Sequence, residues 1–125
     1  MERTKLVKPL ICLILLILAV NFLANKFYWY SALWWLDVLM HFLGGFWIGL
    51  LYLYLFSPKN ISRALISRTL FFVLLVGVGW EVFEILVNEV LAQNSFDYLD
   101  TLADLILDLS GGLYAILYLW KKQLK

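Results

Sequence analysis

Four stretches of this chain are almost continuously apolar, and short polar segments punctuate them. The first runs from Val7 to Leu23 and the second from Leu33 to Phe56, where Ser57-Pro58-Lys59-Asn60 forms a turn signal. The third spans roughly Leu70 to Leu91, and the fourth runs from Thr101 to Trp120 after the loop Gln93–Asp97. At ~1.5 Å per residue each is long enough to cross a bilayer as a helix. The pattern predicts an all-α, integral membrane four-helix bundle, a single transmembrane domain over residues 1–125 with helices near 7–24, 34–56, 68–91 and 101–120. Between the first two runs, Phe27-Tyr28-Trp29-Tyr30 and Trp34-Trp35 read as an aromatic belt at a membrane surface, with room for a short interfacial helix.

Composition agrees with this reading. Of 125 residues, 64% are hydrophobic and 15% charged, against about half and a quarter in soluble domains. Cys12 is the single cysteine, so no internal disulfide is available, and its apolar setting predicts a small buried hydrophobe. The first run follows Arg3, Lys5 and Lys8 as a signal peptide would, but a cut after Ala24 would place Phe22 where a small residue is wanted. The run therefore reads as an uncleaved helix.

The placement of charge is more informative than its total. With four spans, Arg3, Lys5, Lys8, Lys59, Arg63, Arg68, Lys121, Lys122 and Lys125 share one side and Lys26 alone falls on the other. The positive-inside rule then puts both termini in the cytoplasm. These basic residues are scattered over three segments close to lipid, so nothing in their placement suggests a nucleic-acid footprint. The expected partner is the lipid bilayer, with a homo-oligomer or a larger membrane partner where a pathway is needed.

Acidic residues follow the opposite pattern and lie in or near the outer halves of the later helices. The second helix carries Asp37 and, one turn on, His41; the third carries Gly77, Glu81, Glu84 and Asn88 as one stripe. The fourth carries Asp100, Asp104 and Asp108, spaced to share a face. Helical rise places His41, Glu84 and Asp108 at a common depth of roughly 10 Å, with Glu81 deeper. Asp37 and Asp100 sit nearer the surface as peripheral groups, and Glu89 and Asp97 read as solvated. A charged side chain at mid-membrane costs about 2.5–3.5 kcal/mol, so the cluster would cost on the order of 10 kcal/mol unpaired. No Lys or Arg shares its depth. Either some carboxyls hold protons or a cation sits among them. Gly45-x-x-x-Gly49 and Gly111-x-x-x-Ala115 would let backbones approach closely below the site.

Three motifs carry a resemblance. Asp37-x-x-x-His41-Phe42-x-Gly44-Gly45, Trp80-Glu81-x-x-Glu84 and Asp100-Thr101-x-x-Asp104-Leu-x-x-Asp108-x-x-Gly111 resemble, in this order, the YjdF-like family of uncharacterised bacterial and archaeal membrane proteins. More distantly they look like the VanZ-like group, which is linked to tolerance of glycopeptide antibiotics. The chain departs from that group in having Glu84 where a Gln is usual, Asp108 where an Asn is usual, and no Lys after Asp37. The resemblance implies a multi-pass protein of the inner (plasma) membrane and transfers no catalytic residue.

The residues themselves point to an outward-facing cavity that binds a cation or protons. His41, Glu81, Glu84, Asp104 and Asp108 are the candidate ligands of a divalent metal such as Zn, Mn or Mg, which suits carboxylates with one imidazole. A metal there would activate water against an envelope or lipid substrate, with Glu81 and Glu84 as catalytic candidates. Two rivals use the same residues: a proton-coupled or ion-transport component, and a non-catalytic envelope accessory protein of VanZ-like type.

Overall fold

The computed structural model describes residues 3–56, 59–87 and 98–124. A 3-10 turn at Arg3–Leu6 leads into α1 (Val7–Lys26), followed by the four-residue α2 (Trp29–Ala32), α3 (Trp34–Phe56), α4 (Arg63–Ile85) and α5 (Tyr98–Leu124). No strand occurs among the described residues, and α1, α3, α4 and α5 are each long and apolar enough to cross a membrane. The aromatic stretch between the first two spans does contain a short helix, α2.

Two boundaries move from where hydropathy alone set them. The third span starts at Arg63 rather than near residue 68, because the Ser62 hydroxyl caps it by accepting from the Leu65 N–H at 3.1 Å. Capping adds a polar first turn that an apolar run cannot reveal. The fourth span extends from Tyr98 to Leu124, beyond the apolar window at both ends. Asn88, Glu89, Asp97 and the loop Gln93–Asp97 lie outside the described residues. Cys12 corrects the expectation of burial, since it is exposed on α1. Only Leu10 and Ala24 of that helix are buried, so most of its surface is free to meet lipid.

The bundle is built on the crossing of α3 and α5, its most extensive contact, with α4 against both. The crossing is reciprocal. A Cβ on Gly45 would collide with the Asp108 carbonyl, and one on Gly111 would collide with the Phe42 carbonyl. One turn further along, Gly49 packs against Ala115 and Gly112. Toward the end that carries the basic residues, Leu50, Leu53 and Leu119 are fully enclosed, and Leu6, Leu10, Tyr52, Leu65 and Ala115 complete that core, with Val73 enclosed nearby. The helix α1 is attached mainly at its ends. Trp47 donates through Nε1 to the Leu10 carbonyl at 3.0 Å, and Ala24 is buried at the opposite end.

The crossing separates two neighbouring glycines sharply. Gly45→Ala must push two helix backbones apart and is expected to lower stability by about 1–3 kcal/mol or more. Nothing lies within 4 Å of a Cβ on Gly44, so Gly44→Ala should be neutral or gain up to about 1 kcal/mol from helix propensity. Thermal unfolding of the two variants in detergent measures the contrast.

Candidate functional site

The N-terminal halves of α3 and α5 bring polar side chains inward at the end of the bundle opposite the basic residues. His41 stands two turns into α3, and the glycine contact one turn below it holds α5 close enough for its carboxylates to reach the ring. The Asp108 Oδ1 lies 3.3 Å from His41 Nδ1. The other ring nitrogen, Nε2, lies 3.4 Å from Asp104 Oδ1 and 3.6 Å from Asp37 Oδ1. The imidazole is thus clasped on both edges by carboxylates from two helices. Gly77 of α4 makes room for this, since a Cβ there would stand 2.6 Å from Asp108 Oδ2.

From α4, Glu81 enters the same region and faces Asp104 and Thr101 of α5. The residue is only 4% exposed, and its Oε1 is buried without any hydrogen-bond partner. Glu84 is held differently, by the indole of Trp80, whose Nε1 donates to Oε1 at 2.7 Å.

Two groups of three side chains have the spacing of metal ligands. Asp37, His41 and Asp104 offer ligand atoms that all lie within 4.8 Å of one another, and so do Glu81, Glu84 and Asp104. Asp104 belongs to both, so the groups adjoin. Asp108 falls outside each group; it faces the far nitrogen of the imidazole, the position from which a carboxylate orients a ligating histidine. Asp37, expected at the periphery, enters the first group although its side chain is half exposed. Asp100 is exposed and in neither group.

Beside the cluster lies a cavity of about 720 Å³, lined on its polar wall by Asp37, His41, Glu84 and Asp108 together with Asn21 of α1. Sequence reasoning gave the first helix no part in the site, because a single Asn in an apolar run is a weak signal. Two other participants were missed. The Trp80 indole enters the sequence reading only as part of a motif, although its i,i+4 spacing from Glu84 is a legible hint. Thr101 was seen only as part of a motif.

The buried, half-partnered Glu81 makes a direct prediction about stability. Glu81→Gln replaces a buried carboxylate, crowded by two others, with an isosteric amide that can donate to one of them. Metal-free protein carrying it is expected to be more stable than wild type by about 1–3 kcal/mol, read as a higher midpoint of thermal unfolding in chelator. A lower midpoint would mean that Glu81 is already compensated by the protein.

Comparison with known proteins places the chain in one family. It belongs to the family described as predicted membrane protein (DUF2238), whose model matches residues 1–124. No curated protein matches it, and no solved structure does.

Proposed function

We propose that this member of a family of predicted membrane proteins binds a divalent cation within the membrane-spanning bundle. The ligands are Asp37 and His41 of α3, Asp104 of α5, and Glu81 and Glu84 of α4, with Asp108 holding the imidazole. The observation that carries the reading is Glu81 Oε1, buried and unpartnered beside two further carboxylates. An oxygen so placed needs either a donor or a cation; among the described residues none donates to Oε1, although Thr101 and Asp104 reach the same carboxyl. The ligand set, oxygen-rich with one imidazole, suits Zn, Mn or Mg. The likeness to YjdF-like proteins read from the three motifs accords with the family found. The basic residues at the opposite end support an orientation with both termini cytoplasmic and the site facing outward from the inner membrane.

A cation held there would supply Lewis acidity toward an envelope or lipid substrate, and whichever of Glu81 and Glu84 is not bound to it would be the candidate base. A binding site is favoured over a conduit by the packing beneath it. Between the cluster and the basic end, the bundle is filled chiefly by the enclosed aliphatic side chains Leu50, Leu53, Val73 and Leu119. A transport role would need a second chain or a larger partner to supply a polar path.

The test is elemental analysis of protein purified in maltoside detergent without chelator, then supplemented with Zn, Mn or Mg. About one divalent ion per chain is expected. It should be lost in Asp104→Asn and in Glu84→Gln and retained in Asp100→Asn. Wild-type protein that holds no metal under these conditions overturns the proposal.

A further inference from the structure

The cavity beside the cluster has two unlike walls. Its polar wall is acidic, with Asp37, Glu84 and Asp108 around the single imidazole of His41 and no Lys or Arg among the lining residues. Its other wall is hydrocarbon and aromatic, formed by Ile17 and Leu18 of α1, Ile48 of α3, and Val76 and Trp80 of α4. A volume of about 720 Å³ is ample for a small amphiphilic molecule, since ligand pockets commonly hold about 300–1,000 Å³.

The cavity also has a side entrance. Among the described residues, the Cα atoms of α1 nowhere come within 8 Å of those of α4 or α5, because α1 packs along α3. The two flanks of that gap are uncovered: Leu18 is 57% exposed and Trp80 52%, although both line the cavity. In a membrane this gap faces hydrocarbon. A ligand arriving there comes from the bilayer and must carry an apolar body. The head that meets the carboxylates must be positive, because an anionic head would face three acids with no basic side chain to receive it. Trp80 adds an aromatic surface of the kind that attracts organic cations.

We infer that this cavity binds a lipophilic organic cation, entering from the membrane between α1 and α4 with its positive centre against Asp37, Glu84 and Asp108. The inference goes beyond the metal-binding reading and does not require it: Asp37, Glu84 and Asp108 line the cavity, and because Asp37 and Glu84 are also proposed metal ligands, the test is made on chelator-treated protein. The same chemistry has two sources: the ammonium of an amine-bearing lipid, or a free hydrophobic cation dissolved in the bilayer.

The pair tetraphenylphosphonium and tetraphenylborate separates charge from hydrophobicity, since the two ions share a shape and differ in sign. Full-length protein in nanodiscs of phosphatidylglycerol, treated with chelator, is expected to bind tetraphenylphosphonium saturably and tetraphenylborate at least tenfold more weakly, beyond what protein-free discs take up. Gly44 lines the cavity with open space at its Cβ and offers no ligand atom. Gly44→Leu should therefore intrude into the cavity beside the acids and weaken the phosphonium by about tenfold or more, while metal content stays at the wild-type value. Asp37→Asn at the rim should weaken it by about two- to fivefold. Competition when phosphatidylethanolamine is added to the disc assigns the site to a lipid amine, and its absence assigns it to a free cation. Equal binding of the borate, or phosphonium binding unchanged by Gly44→Leu, overturns the inference. Loss of metal with phosphonium binding intact would remove the metal reading alone.

Discussion

Burying several acids around one imidazole, with no Lys or Arg beside them, is the constraint on which this fold turns. His41, Glu81, Asp104 and Asp108 are largely withdrawn from the surface between three apolar helices, and no Lys or Arg comes with them. At about 2.5–3.5 kcal/mol per charge in mid-membrane, the cost is on the order of 10 kcal/mol. That is comparable to the whole net stability of an ordinary domain, about 5–15 kcal/mol. The visible compensation consists of the contacts from His41 and the indole bond to Glu84, each worth about 1–3 kcal/mol net. Protons held by some of the carboxyls, or a cation among them, would lower the remaining cost.

The packing follows from the same requirement. Carboxylates on short stems reach the His41 ring only if α3 and α5 nearly touch, and the reciprocal collisions foreseen at Gly45 and Gly111 show how close they are. Gly77 on α4 relieves the third approach, where any side chain would strike the Asp108 carboxylate. Below this level the glycines give way to large aliphatic side chains, and the half of the bundle toward the basic residues is an ordinary sealed core. One end of the protein is therefore rigid and closed, while the other holds polar groups in a fixed arrangement.

The outlying helix α1 is the exception to that compactness. It is tied near Leu10 and at Ala24, and between those points it stands off from α4 and α5. This separation makes the cavity and turns it toward the membrane. A more conventional bundle, with all four helices in mutual contact, would have sealed the acids away from any ligand larger than an ion.

Much of the architecture was legible in the residues. Apolar runs of spanning length separated by Pro, Asn and charged turns leave little alternative to helices crossing a membrane, because an unpaired backbone is intolerable in hydrocarbon. The inward convergence of His41, Glu81, Glu84, Asp104 and Asp108 was equally readable, since acids spaced at three and four residues share a helix face and are costly on the lipid side. Tertiary structure alone decided the roles within that set. Whether Asp37 or Asp108 stands at Nε2 depends on the rotation of two helices about their axes, which spacing leaves undetermined. The same holds for the pairing of Trp80 with Glu84 and for the unpartnered oxygen of Glu81. The gap beside α1 was invisible for a related reason: hydropathy records which faces avoid water, and it does not distinguish a face packed on protein from one left to lipid.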